Sequence, residues 1–317
     1  MIRCRSAIIL LLLVGTLVVG PSALFAQEGD PDETNAPAAR TSSPDEPPWL
    51  VIERANRLMQ EGEYGRAIRD LRLALDLDPG NAEALLGLGR AYKAIADFTV
   101  AEDYFQRALD ARNAFRIPDR AFLVRYERAE IYRSRRDFAA YERELFAIAD
   151  EDPVPEDALI PEDLYLRIAR QGLDRVLVLY RLAESPATRA RGMLAELLVG
   201  LGRYNAAAEQ GALAVLQSFT TLINAAIERD PTYEFSTVED LMGRVTRYPE
   251  ARSYLEGTTL HHDLYYLAAA LWGERNEQAR TLWRLLSGLE GAGVWGDRAA
   301  RQAADPRPEP LLVPTRE

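Results

Sequence analysis

The chain has 317 residues, with 49 acidic side chains against 38 basic ones, a net charge of −11 and a single cysteine. That balance argues against a general nucleic-acid binder, which needs a basic footprint, and one cysteine cannot build a disulfide framework. A chain of this length can bury an adequate core without such staples.

The first 26 residues read as a leader. Arg3 and Arg5 precede the apolar run "AIILLLLVGTLVVG", and "ALFA" offers the small Ala26 for cleavage ahead of Gln27. This is the secretory pattern, with an uncleaved anchor as the alternative, since the run is close to the length that spans a bilayer. Cys4 lies before the apolar core and so cannot be a lipid-modified residue that follows it. Cleavage would remove Arg3 and Arg5, taking the net charge from −11 to −13, and would leave no cysteine. Export with no lipidation, disulfide or Asn-x-Ser/Thr sequon points to a bacterial periplasmic protein.

Residues 27–47, "QEGDPDETNAPAARTSSPDEP", are acidic and proline-rich without apolar periodicity. They read as a disordered linker. From Pro48 onward apolar residues recur at intervals of three and four, which predicts helices throughout and no strand. Asp78-Pro79-Gly80, Asp152-Pro153 and Asp230-Pro231 each close a helical run, because proline lacks an amide donor and restricts the residue before it. Pro161 suits the first turn of one long helix, "PEDLYLRIARQGLDRVLVLYRLA". Ser236-x-x-Glu239 reads as a capping box ahead of "LMGRVTRY". The tail over 304–317 is again punctuated by proline and is expected to be disordered.

An internal period of 34 organises the first half. Tyr64, Ala67, Leu71 and Ala74 become Phe98, Ala101, Phe105 and Ala108, while Ala55 and Leu58 become Gly89 and Tyr92. Helices that cross closely need small residues at the crossing, and the large residues fill the space between successive pairs. In period and in the placement of these residues, 48–115 resembles two tandem tetratricopeptide repeats. A third copy runs to Pro153 but has Tyr141 where the pattern has alanine, which predicts a more open crossing. A fourth contains Ala195, Gly202, Tyr204, Ala207 and Ala214, and its second helix is expected to run on towards Glu228. A fifth, "LYYLAAALWGERNEQARTLWRLL", has a turn one residue short. The resemblance implies an all-α fold, an α-solenoid of antiparallel helix hairpins wound into a right-handed superhelix with a concave face. Repeats are expected over 48–153 and a divergent helical region over 154–303.

Motifs for chemistry are sparse. His261 and His262 are the only histidines, and neighbours on a helix do not face each other, so "TTLHHDL" reads as a helix start rather than a metal site. "GLGRAYK" lacks the spacing of a phosphate loop. Paired carboxylates such as Glu102-Asp103 or Glu156-Asp157 read as solvated faces. No cofactor, metal or catalytic residue is expected. The resemblance places the first helix of each hairpin on the concave face, and with it Asn56, Arg90, Lys93, Tyr126 and Arg133 as the candidate partner groove. Ile52, Gly87, Leu123 and Glu127 occupy positions where the family's carboxylate clamp needs amide and basic side chains, so that clamp is rejected. Arg90, Lys93 and Arg133 are expected to give the groove a local positive potential suited to an acidic segment, with the tail "PEPLLVP" or the linker "DPDE" as internal competitors.

The leading reading is a non-catalytic periplasmic scaffold that presents a groove to a protein or peptide. The alternatives are a helical enzyme acting on glycans through 160–300, and an assembly factor tethered by an uncleaved leader.

Overall fold

The computed structural model describes residues 46–311. The leader over 1–26 and nearly all of the linker over 27–47 lie outside the described residues, as do 312–317. Among the described residues there are fifteen α-helices and no strand, and no helix is long and apolar enough to cross a membrane.

Three hairpins come first: α1 (Pro48–Gln60) with α2 (Tyr64–Leu77), α3 (Ala82–Ala94) with α4 (Phe98–Asp110), and α5 (Arg120–Ser134) with α6 (Phe138–Glu151). Two short helices intervene, α7 (Leu164–Gln171) and α8 (Leu173–Leu179). A fourth hairpin follows, α9 (Thr188–Gly200) with α10 (Tyr204–Arg229), then α11 (Val238–Val245) and α12 (Pro249–Gly257). The fifth hairpin is α13 (Leu260–Gly273) with α14 (Gln278–Gly288), closed by α15 (Gly293–Ala304).

One backbone turn joins every hairpin. Gly62, Ala96, Arg136, Gly202 and Arg275 all adopt positive φ, between 59° and 78°. Each donates to the carbonyl three residues back, and the next residue donates to the carbonyl five back, as in Asp97 N to Tyr92 O at 2.9 Å. This is the Schellman pattern, which satisfies the last carbonyls of the first helix. Its presence at Arg275 shows that the fifth hairpin keeps the common turn. The expected shortening is not seen: α14 begins at Gln278, three residues after the positive-φ residue rather than two, so this connection is one residue longer than in the other hairpins. Asn81, Asp97 and Asp137 then cap α3, α4 and α6 by accepting from the amides of Ala84, Val100 and Ala140.

The small positions lie at the helix crossings. Ala55, Ala67, Ala74, Ala101 and Ala108 are fully buried, and a Cβ on Gly89 would come within 2.4 Å of two carbons of the Phe105 ring. Two cores result. One runs through 51–131 around Leu71, Leu88 and Phe105, and the other through 126–299 around Phe219, Tyr265 and Trp283. Tyr141 is fully buried and belongs to the second.

Three local expectations are corrected. The long helix after Pro161 is broken: Gly172 at φ 84° divides α7 from α8, and the first begins only at Leu164. The cap of α11 is Thr237, which accepts from Asp240 N at 3.2 Å, one residue after the Ser236 expected there. The tail is placed through Leu311 rather than disordered from 304: α15 runs to Ala304, and 305–311 then pack back on the helices. The expected extension of the fourth hairpin is seen, with α10 continuing to Arg229.

Candidate partner-binding face

The first helix of each hairpin contributes to one inner face. A concavity of 490 Å³ is lined by Ile52 and Asn56 of α1, Leu86 and Arg90 of α3, and Arg120 and Leu123 of α5. A second, of 720 Å³, shares Leu123 and adds Tyr126, Arg189 and Tyr254. A third, of 850 Å³, shares Arg189 and Thr259 with the second and is walled by Arg133, Glu196, His262 and Trp295. The shared residues make the three a continuous surface.

The five sequence-identified groove residues lie along this surface rather than in one site. Asn56 and Arg90 line the first concavity. Tyr126 borders the second, but its hydroxyl is committed: it donates to Pro186 O at 2.8 Å and accepts from Ala190 N at 2.9 Å. It therefore braces α5 against the start of α9. Arg133 belongs to the third concavity. Lys93 points at α5, where it pairs with Glu127 and Glu130. Burial disfavours its charge, but those two carboxylates outweigh burial and raise its pKa.

The expected positive potential is also corrected. Arg90 Nε lies 2.6 Å from Glu127, Lys93 takes both Glu127 and Glu130, and Arg133 lies 3.4 Å from Glu196. Each cation meets a carboxylate of the neighbouring first helix, so the three supply ion pairs between hairpins instead of a free basic patch. The acidic residues that do this, Glu127, Glu130 and Glu196, occupy helix positions that sequence alone leaves looking solvated.

The third concavity contains a cluster that sequence reading missed. His262 Nδ1 lies 2.8 Å from Asp263, which is fully buried, and Nε2 lies 3.3 Å from Glu196. Burial opposes charge on the imidazole, yet the hydrogen bonds to Asp263 and Glu196 prevail and push His262 up to about 9. Burial alone would raise the pKa of Glu196, but its bond to His262, with Arg133 and Tyr266 beside it, lowers it. For Asp263 burial wins and its pKa is raised. Thr259 donates to its second oxygen at 2.8 Å. Tyr266 and Trp295 enclose the imidazole, with ring centroids 4.8 and 5.0 Å away. The sequence signal was "HHD" inside an otherwise apolar helix.

Chemically, the cluster sets one buried imidazole between two carboxylates, Asp263 of its own helix and Glu196 of α9, and so ties α13 to α9. The described residues contain no group of three side chains able to hold a metal ion.

Five antiparallel hairpins joined by the same turn, with their first helices on one concave face, define an α-solenoid of the helical-hairpin class. A family profile of the tetratricopeptide repeat matches residues 58–116, covering most of the first two hairpins. Over that stretch the chain is similar to tetratricopeptide repeats. No curated protein matches it.

Proposed function

We propose that the protein is a non-catalytic adaptor of the bacterial periplasm that holds an extended segment of a protein partner along its inner face. The observation that carries this reading is the continuity of the face: three concavities linked through Leu123, Arg189 and Thr259. An extended chain advances about 3.3 Å per residue, so a surface crossing five first helices suits a peptide better than a compact small molecule. Tetratricopeptide repeats typically serve as interaction scaffolds, which supports the partner class. Export rests on the leader pattern of residues 1–26.

Capture from envelope extracts tests the reading when variants are compared. Leu123 is 41% exposed on the floor shared by the first two concavities, and Leu123→Arg should remove the partner. Gln106→Arg, at an exposed site on α4, should retain it. Equal recovery on both folded variants would move the interaction off this face. The same preparation, analysed by intact mass, should begin at Gln27. A membrane-bound chain that keeps residues 1–26 would instead favour the tethered assembly factor.

A further inference from the structure

Residues 305–311 return from α15 as an extended strap along the edge of the third concavity, and their recognition is specific. Gln302 treats the strap as a backbone: its side-chain amide donates to Arg307 O at 3.0 Å and its carbonyl accepts from Arg307 N at 2.7 Å. Two residues on, Glu309 is almost fully enclosed, with its side chain 6% exposed. Arg298 lies 2.7 Å from one carboxylate oxygen, while Gln302 (2.6 Å) and the Tyr265 hydroxyl donate to the other. Arg298 itself lies over Tyr265 and Trp295, with Cζ 4.7 and 4.8 Å from the ring centroids.

The strap continues past Gly200 at the end of α9. A Cβ there would come within 2.9 Å of Leu311 Cα, so glycine is what lets the chain lie against the helix. Glu309, Pro310 and Leu311 then border the 850 Å³ concavity, which extends beyond them towards His262 and Arg133. The features of the strap are those of a bound peptide: one backbone unit read by an amide, one carboxylate read by three donors, and one apolar residue seated on a glycine. Prolines at 306, 308 and 310 limit the freedom lost when such a segment is held extended.

We propose that residues 307–311 are a tethered occupant of a peptide subsite formed by Tyr265, Arg298, Gln302 and Gly200, and that this subsite recognises a partner segment of the same chemistry, an acidic residue between prolines followed by leucine. The inference rests on the adaptor reading and specifies its ligand. Tethering places the strap at an effective concentration in the millimolar range, so a partner segment binds only by displacing it. The tail foreseen as an internal competitor thus acts at the C-terminal end of the face, away from Arg90 and Lys93.

The test uses the full chain and a fluorescein-labelled peptide, Asp-Pro-Arg-Pro-Glu-Pro-Leu-Leu-Val-Pro, corresponding to residues 305–314. In Glu309→Lys a cation faces Arg298, the strap leaves, and the labelled peptide should bind at least about tenfold more tightly than to the wild type, reflecting the lost tethered competitor. Glu309→Gln should give a smaller change in the same direction. Adding Gly200→Leu or Arg298→Glu to the Glu309→Lys chain should abolish peptide binding, with circular dichroism confirming the fold. A folded Glu309→Lys chain that binds the peptide no more tightly than the wild type overturns the proposal and makes the strap a structural brace. Because Leu123 lies away from this subsite, loss of the partner from Leu123→Arg in the capture assay would still support the adaptor in that case.

Discussion

Replacing His262 with alanine is expected to destabilise the protein by about 3–5 kcal/mol, the range seen when one partner is removed from a buried ion pair. The reason is what remains. Asp263 is fully buried and would keep only the Thr259 hydroxyl, while Glu196 would keep Arg133 and Tyr266 at 3.4 Å. Neutralising the stranded charge should recover part of the loss, so adding Asp263→Asn to His262→Ala should cost less than the two single changes combined. Urea denaturation at pH 7 measures all three. The wild type should also lose stability in alkali. The folded-state pKa of His262 lies at about 9, above the unfolded value of about 6.5. Its contribution is therefore complete below about pH 6.5 and disappears as the pH rises through 9, by at most about 3 kcal/mol. Melting temperatures taken from pH 6 to 10 should fall for the wild type and be much flatter over that window for His262→Ala.

The second large effect runs against helix propensity. Gly192→Ala in α9 should cost about 3 kcal/mol, although alanine ordinarily favours a helix by up to about 1 kcal/mol over glycine. A Cβ at 192 would overlap the Asp263 carboxylate of α13. Asp263 has no exposed surface into which to turn, so either α9 and α13 part or the carboxylate abandons His262. Gly243→Ala in α11 is the control: nothing lies within 4 Å of its Cβ position and the site is exposed. That change should leave stability unaltered or raise it slightly. Equal effects at the two glycines, measured by urea denaturation, would show that the α9–α13 contact is not as close as described.

These two sites mark the boundary between what sequence discloses and what it hides. The repeat was legible because the first two hairpins share one uninterrupted period, with Ala55, Ala67 and Ala74 recurring as Gly89, Ala101 and Ala108. The common turn was not, because its left-handed residue is glycine at 62 and 202 but alanine or arginine at 96, 136 and 275. The Schellman bonds impose the conformation there, without a compositional mark. The break at Gly172 was hidden by apolar periodicity that continues across it from α7 into α8.

The candidate site was legible as a face and illegible as a charge distribution. Asn56, Arg90 and Arg133 do border the inner surface, but whether a cation is free depends on residues 37 or 63 positions away, such as Glu127 for Arg90 and Glu196 for Arg133. His262 and Glu196 are likewise brought together across 66 residues. The strap was misread for another reason. Proline-rich composition signals poor helix formation, but it is compatible with an extended chain fastened by Gln302, Arg298 and Tyr265.

The central claim, that a partner lies along the inner face, is tested most directly by placing a photoreactive side chain at single positions in the full chain. Leu123, Arg189 and Glu256 sample the concavities, whereas Gln106, Glu209 and Arg284 are exposed on the second helices α4, α10 and α14. After irradiation in intact cells, cross-links to one common partner should form from the first three positions and not from the others. Cross-links concentrated at Gln106, Glu209 and Arg284, with none from the concave positions, would contradict the account.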